Sequence, residues 1–324
     1  MRGFFCKSKL CTLAVQNLNC MFKYCVFTFA LHCTLLLLFC SPANAQDQNS
    51  KVTNTFYTTR LINAQTVETV PAKALDIRIT HRFNDVGGER GGIKNLFGLD
   101  NITDIRLGFE YGVTNNLTLG IGRSKGAFGP RNLIDGLVKY RFLQQTSDNG
   151  MPISATLFAN AALSTMKAET VNLESETSFR KFAHRLSYNV QLLIARKFGD
   201  HFSIQLMPNM LYRNFVRLGD ENLLFSLGAG ARVAINQRYA IILDYYQYFS
   251  NYRRDVNKDA GPNDIKYYPP LGIGLEIKTA GHVFHLNFSN SPGVIENQFI
   301  PYTTRNWLDG EFRLGFNISR LVKF

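Results

Sequence analysis

Beyond Cys40 this chain of 324 residues contains no cysteine at all. That excludes a disulfide-stapled fold, a thiolate metal site and a cysteine nucleophile from everything downstream. Tryptophan occurs once, at Trp307. The first 45 residues have no acidic side chain. No apolar run after residue 45 is long enough for a membrane helix, which needs about 20 residues. There is no HExxH, no P-loop and no serine nucleophile elbow. A span of a bilayer by this chain must therefore be built from strands closed into a barrel.

The start of the chain reads as a leader. Arg2, Lys7, Lys9 and Lys23 are basic, an apolar run follows from Val26 to Cys40, and Ala43-Asn44-Ala45 is a small-residue cleavage site. The pattern predicts a secretory signal peptide over residues 1–45, with the cut before Gln46. Met21 would begin a leader of more ordinary length. Lipid modification at Cys40 is disfavoured by Phe39 before it. Removing this segment leaves 32 basic and 24 acidic residues, a net charge of +8. Lys and Arg are scattered along the chain rather than gathered in blocks, and the protein is exported, so nucleic acid is not an expected partner.

What is present is alternation. Twelve strands are expected, at roughly 74–84, 103–113, 117–124, 132–143, 152–164, 184–198, 202–214, 223–235, 239–249, 270–279, 282–290 and 310–324. Successive side chains in a strand point to opposite faces. In each strand one face is nearly free of charge. Ile105, Leu107, Phe109, Tyr111 and Val113 are one example; Leu186, Tyr188, Val190, Leu192 and Ile194 are another. In the last strand Phe312, Leu314, Phe316, Ile318 and Val322 share a face, interrupted by Arg320, and the chain ends on Phe324.

A soluble β-sandwich alternates in the same way, with its apolar face inward. Connection lengths separate the two. Turns of two or three residues, such as Asn236 to Arg238, take turns with long polar stretches such as 165–183, 250–269 and 291–309. Aromatics gather at strand ends: Phe142, Phe198, Phe202, Tyr239 and Phe324 at one end, Phe83, Tyr212 and Phe249 at the other. This rhythm and these belts are those of outer-membrane barrels. The expected fold is all-β: a closed antiparallel transmembrane β-barrel of about 12 strands over residues 73–324, with short periplasmic turns and longer outer loops. Residues 46–72 are expected to enter the lumen, cap its periplasmic mouth or trail as a tail.

Several stretches together resemble one family. They are Phe56 to Asn63 with Val67-Glu68, Leu75 to Phe83, Asn95 to Asp100, Ile105 to Gly112, Gly122 to Ser124, Asp135 to Arg141, Thr303-Thr304 with Trp307, and Gly315 to Arg320. They resemble an uncharacterised outer-membrane β-barrel family of Bacteroidota, filed as a domain of unknown function. The resemblance implies a barrel in the outer membrane of a Gram-negative bacterium. It implies no activity.

Alternation puts the charges of the strands inside. The expected lumen-lining residues are Arg78, Arg82, Arg106, Glu110, Asp135, Lys139, Arg141, Arg232, Glu276, Lys278, Glu311 and Arg313. Asp76, Asp104, Arg185, Arg213 and Asp244 fall at inward positions too. A narrow water-filled pore for small solutes with a mild anion preference follows from that set, since rings of charge set selectivity. The alternative is a non-conducting barrel that binds or supports through its outer loops or its N-terminal segment. Glycine pairs (Gly120/Gly122, Gly228/Gly230, Gly272/Gly274) face the same side and leave room for that segment or for a solute.

Two runs carry residue types associated with chemistry. His285, Asn287 and Ser289 bear the residue types of a twelve-stranded outer-membrane phospholipase, but they face the lumen and the His–Ser spacing is wide. Asp255, Asn257, Asp259 and Gly261 imitate a calcium loop, with the glycine one place late and Lys266 where the bidentate acid belongs. No enzyme activity, cofactor or metal is expected. The expected partners are outer-membrane lipids and small solutes; the sequence points to no particular protein partner.

Overall fold

The computed structural model describes residues 51–324, apart from 89–90 and 262–263. The expected signal peptide lies outside the described residues. Twelve antiparallel strands run in chain order round a closed barrel. They are β1 (Ala74–Asp85), β2 (Ile102–Gly112), β3 (Leu117–Ser124), β4 (Leu133–Leu143), β5 (Ser154–Ser164), β6 (Leu186–Phe198), β7 (Phe202–Arg213), β8 (Leu223–Ala234), β9 (Tyr239–Phe249), β10 (Leu271–Lys278), β11 (Val283–Ser289) and β12 (Arg313–Lys323). The barrel closes where β1 pairs with β12, from Ala74 opposite Lys323 to Asp85 opposite Arg313. No strand edge is left to seek another chain.

The burial pattern is inverted relative to a soluble protein. Ile105, Leu107, Phe109 and Tyr111 of β2 are exposed, while Asp104, Arg106 and Glu110 between them are buried. The same holds on β4, where Ile134 and Val138 are exposed and Asp135 and Lys139 buried. Outside a bilayer such a surface would cost about 1.5–3 kcal/mol for each exposed large apolar side chain. The stripes face lipid, and the sandwich reading falls. Phe142, Phe198, Phe202 and Tyr239 are exposed at one rim, and Phe249 at the other. These are the interfacial girdles of a transmembrane barrel.

Four of the turns on one side are short, at residues 113–116, 199–201, 235–238 and 279–282. The opposite side carries the long connections, including a 9-residue helix α1 (Asn251–Asp259) after β9 and a 7-residue helix α2 (Glu296–Tyr302) after β11. Among the described residues no helix is long and apolar enough to cross a membrane. The ladder between β6 and β7 skips around Pro208, which has no N–H to donate. β12 begins three residues later than the alternation suggests, at Arg313, so Glu311 belongs to the outer loop.

Candidate functional site

The lumen is occupied. Residues 55–70 enter from the periplasmic side and fold back as a hairpin. Arg60 bridges Gln65, the Thr66 N–H donates to Thr59 O at 2.9 Å, and Leu61 N–H donates to Ala64 O at 2.8 Å. The tip is Ile62-Asn63. It needs no linker-like flexibility: Phe56, Leu61, Ile62, Ala64 and Val67 are all buried.

Barrel-wall side chains hold the hairpin largely by its backbone. Lys139 Nζ donates to the carbonyls of Thr59 at 2.7 Å, Thr66 at 3.3 Å and Glu68 at 3.4 Å. The Asp244 carboxylate accepts the N–H groups of Asn63 at 2.6 Å and Ala64 at 2.8 Å. Arg82 donates to Ile62 O at 3.1 Å and to Asn63 Oδ1 at 2.9 Å. Asn317 donates to Leu61 O and Ile62 O, and Gln205 both donates to Gln65 O and accepts from Val67 N–H. A buried backbone group without a partner is costly, so these contacts fix the hairpin's depth and register.

A second segment comes from the outer side. Residues 290–303, which contain α2, are almost wholly buried. Phe299 and Ile300 join Phe56, Leu61, Ile62 and Val67 in one apolar cluster. It packs on Phe158, Leu193, Met207, Leu211, Leu224, Ile242 and Tyr246 of the wall. The lumen thus has two sides. β5 to β9 offer apolar side chains, and the charged residues concentrate on β1 to β4 and β10 to β12.

The wall glycines make the room. A Cβ on Gly230 would meet Leu61 Cδ1 at 2.7 Å, and one on Gly272 would meet Ile62 Cγ2 at 2.9 Å. Gly112 lies under the carbonyls of Val70 and Pro71, where the chain turns into β1. Of the two uses the pairs suggested, room for the N-terminal segment is the one seen at Gly230 and Gly272.

The candidate residues divide into three groups. Arg78, Arg82, Arg106, Glu110, Asp135, Lys139, Arg232, Glu276 and Arg313 are buried inside the barrel. Arg106 makes a two-pronged pair with Asp135, at 3.0 and 2.6 Å. Arg78 pairs with Asp76, Arg232 with Glu276, and Arg313 with Asp85. Arg141 and Lys278 stand at the periplasmic mouth rather than in the lumen: Arg141 reaches Glu68 at 3.4 Å, and Lys278 lies 4.2 Å over the Tyr57 ring. Glu311 is outside altogether. It accepts the Asn306 N–H in the loop before β12 and pairs with Arg305. Arg185 likewise sits in the outer loops, donating to Ser164 O and Met166 O.

Seven basic wall residues are buried (Arg78, Arg82, Arg106, Lys139, Arg213, Arg232, Arg313). Seven acidic ones match them (Asp76, Asp85, Asp104, Glu110, Asp135, Asp244, Glu276). The excess of positive charge expected of the wall is absent, because three of the cations counted lie beyond its ends.

The structure places both runs singled out for their residue types. His285 contacts Glu276 at 3.3 Å and Leu61 O at 3.2 Å, and Asn287 and Ser289 are buried beside it. All three are sealed from lipid. The calcium-like run lies on α1, where Asn257 holds the Tyr267 backbone; among the described residues no group is disposed to hold a metal ion.

In the two segments that fill the lumen, two groups have shifted acidities. Burial pushes the Glu68 carboxyl above its ordinary value of 4.5, against the pull of Arg141 and the Phe56 N–H. Burial also raises the Tyr302 hydroxyl, with the Glu176 carboxylate adding to the rise. Tyr302 donates to Glu176 at 2.8 Å, tying α2 to the β5–β6 loop.

Fold, inverted burial and even strand number define a transmembrane β-barrel of the outer-membrane type. The protein sits in the outer membrane of a Gram-negative bacterium. A family described as "Membrane bound beta barrel domain (DUF5777)" matches residues 56–322, and this chain belongs to it. The match begins at Phe56, so the family includes the hairpin. Among curated proteins none matches. Solved structures of similar architecture include the NanC porin, at 9% identity and a TM-score of 0.43 over 77% of this chain and 99% of that one. The KdgM porin gives 9%, 0.44, 78% and 99%. An outer membrane channel from Pseudomonas putida F1 gives 12%, 0.40, 79% and 98%. At these values the likeness carries no argument about function.

Proposed function

We propose that the protein is a gated outer-membrane pore for small solutes, shut in this conformation by its own N-terminal hairpin and by the inward loop around α2. One observation carries the reading. The hairpin is held largely through its backbone, by polar wall groups such as Lys139, Arg82 and Asp244. Water can take over each of those contacts when the hairpin leaves, so withdrawal would leave a hydrated lumen on the charged side. A wall meant to stay shut could hold the hairpin by apolar packing alone.

A mild anion preference then comes from the mouth. The N-terminal segment contacts three cations: Arg141 through Glu68, Lys278 through Tyr57, and Lys197 through Thr53 O at 3.4 Å. Its withdrawal ends those contacts and leaves the three cations to solutes at the periplasmic entrance, while the wall stays balanced. Planar-bilayer recording tests this. The full chain should be closed for most of the record, and a variant that lacks residues 51–70 and has the inward loop 291–303 cut back to a short turn should conduct with a weak preference for chloride over potassium. If that variant is silent, the barrel is a non-conducting one, and its role passes to the outer loops.

A further inference from the structure

The lumen wall holds a stretch of peptide, mostly by its main chain. Lys139, Asp244, Arg82, Asn317 and Gln205 take the backbone of residues 59–68. Further wall groups extend the pattern. Thr156 Oγ1 donates to Val67 O at 2.7 Å, and Thr118 Oγ1 accepts the Val70 N–H at 2.8 Å. Every peptide presents N–H and C=O groups of this kind, whatever its sequence. Recognition of side chains is sparser. Asn63 is held by Arg82, Asp244 and Ser289, Thr59 by Arg78, and Glu68 by Arg141. Leu61 and Ile62 are received by shape alone, against Gly230 and Gly272, in the apolar cluster of β5 to β9.

The hairpin does not use all that the wall presents. Asn287 lies on the inward face of β11, between His285 and Ser289. His285 Nδ1 is 3.2 Å from Leu61 O, and Ser289 Oγ accepts from Asn63 Nδ2 at 3.2 Å. Asn287 is completely buried, and among the described residues neither its Oδ1 nor its Nδ2 has a hydrogen-bond partner. A buried amide left unpaired costs about 1–3 kcal/mol. Seating the hairpin does not relieve that cost. A side-chain amide is donor and acceptor together, so it matches one further peptide unit beside the hairpin tip.

We propose that the lumen is a binding site for short peptides with aliphatic side chains, and that the hairpin sits there as a built-in substitute for them. This rests on the barrel being a gated pore, and it gives the class of solute. A peptide matches the whole lumen at once. Its amides meet the polar wall groups, Asn287 included, and its side chains meet the glycine hollows and the apolar wall of β5 to β9. A sugar brings hydroxyls but no aliphatic side chain, and a small anion meets only the cations.

The test varies the peptide and leaves the wall alone. A site for a specific protease is inserted in the full chain between Ala72 and Lys73, which are both exposed. The folded protein is cut there in detergent, with peptide present in excess throughout. The hairpin is then held by noncovalent contacts only. Heat-modifiable gel mobility checks that the barrel is folded, and native mass spectrometry reads which peptide it holds. A peptide of residues 58–67 should replace the cut segment. A second peptide, with alanine in place of every residue but Leu61 and Ile62, should bind within about tenfold of the first. The first peptide N-methylated at Asn63 and Ala64 keeps every side chain. It should bind about hundredfold more weakly, at roughly tenfold for each N–H taken from Asp244. Maltotriose should displace nothing. Binding of the first peptide but not the second overturns the proposal, because the hairpin is then a plug matched by its own side chains. So does a cut segment that no peptide replaces, equal binding of the N-methylated peptide, or displacement by maltotriose. If the insertion prevents folding, maleimide labelling of Thr58→Cys in the uncut chain decides the matter: the second peptide should speed it and maltotriose should not, and equal rates overturn the proposal. Conductance of the truncated barrel is a separate result. A silent barrel that exchanges peptides fails as a pore and stands as a peptide binder, whereas a conducting one that exchanges none is a pore for another solute.

Discussion

Arg60 and Glu296 meet at 3.4 Å inside the barrel, one carried in from the periplasmic side and the other from the outer side. Both side chains are almost completely buried. Arg60 also donates to Asn63 O and Val294 O, and Glu296 also accepts from Asn160. The pair is the seam between hairpin and loop. Removing one partner strands a charge in a low-dielectric interior, which costs about 3–5 kcal/mol. Arg60→Ala or Glu296→Ala alone should destabilise the closed state by that order and raise the open fraction in bilayer recordings. Arg60→Met with Glu296→Leu should close the barrel again, since an apolar pair of similar volume removes the stranded charge. A double variant as open as the singles would show that the ion pair is not the seam.

The two glycines under the hairpin tip allow a steric test. Gly230→Val and Gly272→Val place atoms where Leu61 and Ile62 now lie. The barrel ladder does not need a glycine at either place, so the strands should persist while the hairpin is pushed out. The readout uses a feature of the sequence: no thiol occurs after Cys40, so Thr58→Cys adds a single one to the chain from residue 46 onward. With wild-type glycines Thr58 is buried, and labelling by a periplasmic maleimide should be slow. With Gly272→Val it should become at least about tenfold faster, the ratio produced by a shift of 1.4 kcal/mol. Unchanged labelling would mean that the wall yields and the hairpin stays.

Glu68 gives the closed state a pH dependence, and its sign is the reverse of the usual carboxylate. Its acidity constant in the seated hairpin lies above the ordinary 4.5 because burial disfavours the charged form. The seated state therefore binds a proton more readily than the free hairpin. Seating is fully favoured below 4.5 and weakens as the pH rises through the seated value. Closure should be firmer at pH 5 than at pH 8, and conductance should rise with pH. Glu68→Gln should remove the dependence and leave the channel closed across the range. Conductance that falls on alkalinisation would contradict this assignment.

Strand positions and facing were legible in the sequence because lipid on one side and ions on the other enforce period-two alternation at nearly every residue. β3 and β9 agree with that reading to the residue. What fills the lumen was less legible. Counting charges at inward positions finds Arg106, Asp135 and Lys139 but passes over Phe158, Leu193 and Met207, which are inward and apolar in the same parity. Their signal was present: a strand apolar on both faces is buried on both faces. Entry of residues 46–72 into the lumen was one of three alternatives, and the hairpin's form and the whole of α2 were hidden for a different reason. Neither alternates over enough residues to be a strand, and each is short. The clue was the density of apolar side chains in segments that should be wet, such as Leu61-Ile62 and Phe299-Ile300. Glu311 was misplaced because alternation extends past the last paired residue, and only the ladder tells where β12 begins.

The bilayer's grip on the outer face can be measured with one residue. Arg123 is tolerated on that face because it is at the rim, where its long chain reaches Thr165 and water. Ile121, one pleat lower, is exposed and lies between Phe109 and Gly136 of the neighbouring strands. Moving the cation there, as Ile121→Arg, takes it toward the hydrocarbon midplane, where an arginine on a barrel costs about 2–4 kcal/mol. Urea unfolding in lipid vesicles should show the loss as a lower midpoint at unchanged slope. The same substitution at Leu119, another pleat toward the periplasm, should cost progressively less as its head nears the other interface. A midpoint unmoved by Ile121→Arg would mean that this stripe never meets hydrocarbon, and the transmembrane reading of the barrel would fail with it.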